Sequence, residues 1–212
     1  SVALSRDGKL LAIKEQGGEY SHAENLNQFI TDVCNEAKIE LTDIDAVAVS
    51  KGPGSYTGLR IGVSAAKGFC FSLNKPLISV DTLQAMAKSQ SNTEKVLYFP
   101  MIDARRMEVY TAIYDANNTE LSPVSAKIID EGSFEEELKN NKVVFFGDGA
   151  DKCKAALGNN PNAIFVSDIN PSAQFVNELA YEKLQQGLIE DVAYFEPFYL
   201  KDFVATTPKK LL

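Results

Sequence analysis

The stretch SKGPGSYTGLRIGVSAAKGFC, residues 50–70, decides how this chain folds. The apolar run of residues 46–50 leads into the turn Gly52-Pro53-Gly54, and a long apolar segment of helical character follows. Because glycine accepts backbone angles that other residues resist, this pattern predicts a strand, a tight turn and a helix. Such a junction can direct backbone N–H groups at an anion or at another backbone.

The turn differs from the common phosphate-binding motifs. A P-loop has Lys and then Ser or Thr after its last glycine, whereas Leu59 and Arg60 follow Gly58 here. The spacing G-x-G-x-x-x-G also differs from the dinucleotide fingerprint G-x-G-x-x-G. Two interpretations therefore stay open, a purely structural turn and a ligand cradle. The glycine-turn motif comprises Gly52, Pro53, Gly54, Ser55, Tyr56, Thr57, Gly58 and Arg60.

The helix after the turn carries a stripe of small residues. Gly58, Gly62 and Ala66 recur every four residues and so lie on one helix face, where another backbone can approach closely. The remaining positions are largely apolar, which predicts burial on more than one side. The helix is either packed inside its own domain or docked by one face on another subunit.

Composition narrows the class of protein. The chain has 212 residues and 45% hydrophobic residues, enough for one or two globular domains. No apolar run reaches membrane-spanning length and no secretory leader is visible. The three cysteines, Cys34, Cys70 and Cys153, are odd in number and form no C-x-x-C motif, which favours a reducing cytoplasm.

The charge distribution bears on partners. A net charge of −8 argues against a protein that grips nucleic acid by itself. No acidic residue lies between Asp45 and Asp81, and the negative charge is concentrated in the second half. The stretch between Asp45 and Asp81 is therefore either a contact surface for a protein partner or simply buried.

The pattern of elements repeats along the chain. Asp7-Gly8 predicts a hairpin tip, and Ser21 and Glu24 match a capping box before an amphipathic helix that ends near Lys38. The first half continues as strand 45–50, helix 57–73, strand 77–80 and helix 81–90. The second half predicts a hairpin around residues 103–106, strand 121–129, helix 133–139, strand 142–146, helix 150–157, strand 163–166 and helix 172–187.

The two halves therefore read ββαβαβα and βββαβαβα. This indicates an internal duplication and an α/β fold with two similar lobes and mixed sheets. The predicted lobes are residues 1–95, with the partner-binding surface, and residues 96–212, with a C-terminal tail. We expect one further strand of about 5–6 residues before Ser1 to complete the first lobe.

Few residues suit catalysis or metal binding. His22 is the only histidine, which excludes H-x-x-x-H and H-E-x-x-H metal sites, so no metal ligand is assigned. The predicted second-lobe hairpin brings together Asp103, Arg105, Arg106 and Glu108, as either an acid/base cluster or an ion-paired rim.

Several blocks resemble the TsaB (YeaZ) family over about residues 1–202. They are GPGSYTGLRIG with AAKG behind it, PLISVDTLQAMA, MIDARRMEVYTAIYD, SHAENL, FFGDGA and PFYLKD. The resemblance implies the two-lobed, ribonuclease H-like fold of actin, Hsp70 and sugar kinases. It agrees with the duplication read from the elements.

The resemblance also implies a role in making threonylcarbamoyladenosine, a tRNA modification beside the anticodon of tRNAs that read codons beginning with A. In that system TsaD transfers the threonylcarbamoyl group, and TsaB is a non-catalytic paralogue that binds and stabilises TsaD, with TsaE joining the complex. A homodimer is expected when the chain is alone, and contact with tRNA only through the complex. ATP and metal are expected on the partners and no cofactor on this chain, in the cytoplasm and away from membranes.

Departures from the kinase-like pattern argue against independent ATP binding. Arg105 and Arg106 stand where small glycines would cradle phosphate, and the adenosine-contacting turn survives only as Gly147-Asp148-Gly149. The alternatives to a scaffold are a glycoprotease-like enzyme or a small-molecule kinase of the same superfamily. The expected partner interface comprises Leu26, Phe29, Ile30, Val33, Gly58, Ile61, Gly62, Ala66 and Phe69.

Overall fold

The structure is a computed structural model that describes residues 1–17, 22–91 and 96–201, with the backbone alone for residues 22–24. The predicted Ser21–Glu24 capping box and the side chain of His22 lie outside the described residues. Within the described ranges, no helix combines the length and the apolar character that a bilayer crossing requires.

The chain opens with an antiparallel hairpin, which confirms the Asp-Gly signal. Strands β1 (Val2–Arg6) and β2 (Lys9–Lys14) pair across a two-residue turn. Asp7 has a φ of 52° and Gly8 a φ of 74°, the two positive values that a tight type I′ hairpin turn requires.

A pair of parallel strands and three helices follow. They are α1 (His22–Ala37), β3 (Val47–Gly52), α2 (Tyr56–Leu73), β4 (Leu77–Asp81) and α3 (Thr82–Gln90). Strands β3 and β4 pair in parallel, as the intervening helix requires. Among the described residues no strand joins β1 to β3, and the expected strand before Ser1 stays a prediction.

The second half builds one mixed sheet, in the order β7-β6-β5-β8-β9. Its elements are β5 (Val96–Asp103), β6 (Glu108–Tyr114), β7 (Glu120–Ile128), α4 (Glu135–Asn140), β8 (Lys142–Phe146), α5 (Lys154–Leu157), β9 (Ala163–Val166) and α6 (Ala173–Gln185). The first three strands are antiparallel and the last two run parallel to β5. The mixed sheet and the bounds of β8 and β9 confirm the predictions, whereas the predicted helix 150–157 is a short 3₁₀ turn followed by α5.

The last helix of each half packs on the sheet of the other half. Leu83 and Met86 of α3 lie in the same buried cluster as Tyr98 of the second-half sheet. Leu179 of α6 lies with Ile78 of β4. Each sheet therefore depends on a helix from the other end of the chain for part of its core.

After α6 the chain returns to the first half as an irregular segment with turns at residues 186–187 and 192–194. We call this segment, residues 186–201, the strap. Glu190 N donates to Leu77 O at 2.8 Å, just beyond the end of α2, and Phe198 N donates to Lys51 O at 2.7 Å, just before its start. The strap therefore runs antiparallel to α2 along its length. The C-terminal tail contacts the first half, so the division at residue 95 remains a proposal.

Candidate functional site

The glycine turn connects β3 to α2 in a tight bend. Gly52 ends the strand with a φ of 118°, and the Gly52–Pro53 peptide bond is cis. Ser55 is the N-cap of α2, and its Oγ accepts a hydrogen bond from the N–H of Gly58 at 3.4 Å. The predicted strand–turn–helix junction is confirmed, with each of these residues serving the backbone geometry.

The closest neighbour of this turn is the strap. A Cβ on Gly52 would lie 2.8 Å from the carbonyl oxygen of Phe198, closer than real Cβ atoms approach another atom. The rings of Tyr56 and Tyr199 lie 4.8 Å apart, and the guanidinium of Arg60 lies over the Tyr56 ring. Of the two interpretations that the sequence left open, this geometry favours the structural turn, because the backbone that Gly52 admits is the chain's own.

The small stripe of α2 faces inward. A Cβ on Gly62 would meet Val49 Cγ2 of β3 at 3.8 Å, and Ala66 is buried with Val49 and Leu77 in the same core cluster. Val33 of α1 is also buried, with 2% of its surface exposed. Ala66 and Val33 are therefore interior residues of this chain, which corrects their place in the expected interface, and the close approach allowed by Gly62 is used by β3.

The opposite face of α2 is the exposed one. Thr57, Ser64, Gly68 and Phe71 point outward, and a Cβ on Gly68 would meet nothing within 4 Å. This second stripe was not predicted from the sequence, although Ser64 and Gly68 also stand four residues apart. The other expected interface residues are half-buried along the two helices: Leu26, Phe29, Ile30, Gly58, Ile61 and Phe69.

A groove of about 240 Å³ separates α2 from the strap. Its walls include Arg60, Ser64 and Lys67 on the helix side and residues 195–197 and 199 on the strap side. Lys67 Nζ bridges the two sides by donating to the carbonyl oxygens of residues 193 and 195, at 3.1 and 3.0 Å. This lysine fixes the middle of the strap to the helix.

Charged groups meet where β4 ends and α6 crosses it. Lys51 Nζ lies 3.2 Å from Asp81 Oδ2, and Lys183 Nζ donates to Ser79 O at 2.8 Å. Burial lowers the pKa of Lys183, and the nearby charge of Lys51 lowers it further. Throughout the part of the chain that the structure describes, no three His, Cys, Asp or Glu side chains are placed to hold a metal ion.

The second-lobe hairpin is held by lysines from elsewhere in the chain. Lys152 Nζ pairs with the carboxylate of Asp103 and donates to Glu108 O at 2.7 Å, while Lys201 of the strap pairs with the Glu108 carboxylate. Burial by itself would raise the pKa of Asp103, but the hydrogen bonds and charges of Lys152 and Arg105 outweigh it and hold the pKa below its ordinary value. The geometry favours the ion-paired rim over an acid/base cluster.

The two arginines form the tip of this hairpin. Arg105 has a φ of 72° and Arg106 a φ of 52°, and both side chains are exposed. Non-glycine residues in this left-handed region are uncommon, and each costs about 1 kcal/mol or more. The backbone N–H of Arg105 donates to Asp103 Oδ1 at 2.8 Å, so the tip is closed by its own acidic residue.

The Gly147-Asp148-Gly149 turn is packed against the end of β5. Asp148 Oδ1 accepts the backbone N–H of Asp103 at 3.0 Å. A Cβ on Gly147 would lie 2.3 Å from Met101 O. A Cβ on Gly149 would lie 2.9 Å from the backbone carbon of Ile102. The close approach that these glycines allow is therefore made by the chain itself.

Comparison with known proteins agrees with this architecture. The family model "TsaD: tRNA N6-adenosine threonylcarbamoyltransferase" matches residues 16–209. The "tRNA threonylcarbamoyladenosine biosynthesis protein TsaB" of Escherichia coli K12 is 30% identical, over 97% of this chain and 91% of that protein. The protein of the same name from Haemophilus influenzae is 28% identical, over 100% of this chain and 92% of its own length.

Among solved structures, YeaZ from Pseudomonas aeruginosa matches with a TM-score of 0.80, covering 93% of this chain and 92% of that chain at 23% identity. This likeness confirms the α/β fold with mixed sheets. Together with the E. coli relative and the family model, it leads to one assignment: the chain belongs to the TsaB family.

Proposed function

We propose that this chain is a non-catalytic subunit that binds and stabilises a TsaD-type threonylcarbamoyltransferase during the biosynthesis of threonylcarbamoyladenosine in tRNA. The names of its relatives support the biosynthetic role. A TsaE-type subunit joins the complex. This chain contacts tRNA only through that complex, which acts in the cytoplasm. The first lobe, residues 1–95, supplies the partner surface, and the chain forms a homodimer when alone.

One observation carries the proposal: the open face of α2. The face is lined by Ser64 and Gly68, and the space beside Gly68 is empty. Small residues let the ridge of another helix lie close, and α1 packs beside α2 to offer a second helix. Two such helices, paired with two from a related lobe, make a four-helix contact.

The turns of the structure support a non-catalytic role. In this chain the glycine turn is contacted by the strap and the Gly147-Asp148-Gly149 turn by β5. The acidic residues of the second-lobe hairpin are neutralised by Lys152 and Lys201. The glycine turn, the Gly147-Asp148-Gly149 turn and the hairpin carboxylates are thus engaged within the protein.

The test is binding of a purified TsaD-type subunit to variants of the open face, measured by isothermal titration calorimetry. Gly68→Leu places a bulky side chain where the partner helix would approach, and we expect affinity to fall at least tenfold. Gly132→Leu, a matched change in an exposed loop of the other lobe, should bind as the unsubstituted protein does. Unchanged affinity in a folded Gly68→Leu variant would rule out this face.

A second measurement addresses catalysis. The chain incubated with tRNA and threonylcarbamoyl-adenylate should form no modified adenosine until the TsaD-type subunit is added. Modification by the chain alone, at a rate comparable to that of the complex, would overturn the non-catalytic assignment.

A further inference from the structure

Large apolar side chains are exposed mainly beside α2. Among the described residues, six large apolar side chains are more than half exposed, and four of them lie on α2 or on the strap. These four are Phe71, Leu188, Ile189 and Tyr194, which we call the α2–strap patch. Contiguous exposed apolar residues on a folded protein mark an interaction surface more often than isolated ones do.

The strap is anchored to fixed points along α2, which brings its exposed apolar residues beside this helix. The Glu190–Leu77 hydrogen bond holds Ile189 beside the end of α2. Lys67 holds the carbonyl groups on either side of Tyr194, and Phe71 lies one helical turn beyond Lys67 on the same side of the helix.

Because the strap is anchored, the backbone of the patch is ordered before a partner binds. Phe71 is 86% and Tyr194 is 84% exposed, although the backbone around both is tied down. Exposed aromatic side chains on an ordered backbone lose little conformational entropy on binding, and Tyr is enriched among the residues that contribute most to protein interfaces.

We infer that the α2–strap patch is the second part of the binding surface for the TsaD-type subunit, beside the open face of α2. This inference rests on the proposed function. A stable interface uses about 20–30 residues on each side. Helices α1 and α2 have 16 and 18 residues and each turns only one side outward, so their exposed faces alone supply too few contacts.

The position of the patch argues for the same partner rather than a separate one. Ser64, Gly68 and Phe71 lie along one outward side of α2, so a partner helix lying along Ser64 and Gly68 reaches Phe71 and then the strap. Asp191 and Glu196 carry negative charge at the strap edge of this surface. Arg60 adds positive charge at the helix edge, so the partner should present an apolar centre with a rim that bears both basic and acidic side chains.

The experiment compares three variants for binding to the purified TsaD-type subunit by calorimetry. A double change, Ile189→Ser with Tyr194→Ser, removes exposed apolar surface from the strap and should weaken binding at least tenfold. The control double change, Leu121→Ser with Ile128→Ser, removes similar exposed surface from edge strand β7 and should leave affinity unchanged. Gly68→Leu reports on the open face of α2 separately.

Circular dichroism checks that each variant is folded, and Phe71→Ser is a second probe of the patch on the helix itself. If Gly68→Leu weakens binding while Phe71→Ser and the strap double variant bind normally, the patch inference is wrong and the proposed function stands. If neither surface affects binding, both are wrong. If the strap variant changes only self-association, measured by analytical ultracentrifugation, the patch serves a second copy of the chain and the inference is overturned.

Discussion

Replacing Gly52 by alanine tests whether the glycine turn exists to admit the strap. The turn needs a φ of 118° at this position, which L-residues other than glycine rarely adopt, at a cost of about 1–3 kcal/mol. The new Cβ would also lie 2.8 Å from Phe198 O, so either the strap or the turn must shift. If the strap shifts, the hydrogen bond from Phe198 N to Lys51 O is lost, and such a bond contributes about 0.5–1.5 kcal/mol.

Together these effects predict that Gly52→Ala lowers the free energy of unfolding by about 1.5–4.5 kcal/mol. Urea unfolding followed by far-ultraviolet circular dichroism measures this quantity. Hydrogen exchange at the Phe198 amide should become faster than in the unsubstituted protein, because that amide donates to Lys51.

The matched control is Gly68→Ala, also a glycine-to-alanine change in the same region. Gly68 has helical angles and open space around its missing Cβ, so alanine should raise the free energy of unfolding by about 0.5–1 kcal/mol. The reasoning fails if Gly52→Ala is as stable as the unsubstituted protein within about 0.5 kcal/mol and the Phe198 amide stays protected.

Three further predictions concern the second lobe. Tyr114→Phe should raise the free energy of unfolding, measured in urea, by about 1 kcal/mol. The Tyr114 hydroxyl is fully buried with no hydrogen-bond partner among the described residues. A loss of stability would contradict this prediction. Asp103→Asn should be less stable than the unsubstituted protein at pH 7, and the difference should shrink as pH falls below 3.8. A lowered carboxyl pKa stabilises the fold above that ordinary value, and the contribution is lost as pH falls through the folded-state pKa. A difference that does not change with pH would refute the role of the Lys152 pair. Gly147→Ala should destabilise the fold by more than about 3 kcal/mol, because the new Cβ would clash with Met101 O. Backbone strain alone costs at most about 3 kcal/mol. An unchanged midpoint in a thermal unfolding scan would refute this prediction.

The sequence predicted most of the local structure because its signals are local. Asp7-Gly8 specified the first hairpin turn, and the apolar runs at 142–146 and 163–166 matched β8 and β9. Periodicity also located α2, but it could not tell which face meets the core. The stripe of Gly62 and Ala66 and the stripe of Ser64 and Gly68 are both small, and only packing against β3 distinguishes them.

Two features could not be predicted, because they depend on distant parts of the chain. Nothing in the sequence of α6 specifies that it packs on β4 rather than on the sheet of its own half. The strap carries no periodic pattern, so its contacts with Lys51 and Lys67, well over a hundred residues away in sequence, could not be predicted. For the same reason the sequence associated Asp103 and Glu108 with the nearby arginines, whereas their partners are Lys152 and Lys201.

The exchange of α3 and α6 between the two sheets has a consequence for synthesis on the ribosome. The first-half strands emerge early, yet part of their core is completed by Leu179 and Ala180, about a hundred residues later. Until α6 leaves the exit tunnel, the part of the Ile78 and Val80 surface that Leu179 and Ala180 cover stays exposed, and we expect chaperones to bind it. Folding of the first half is thus tied to completion of the second, and the two halves should fold as one cooperative unit with high contact order.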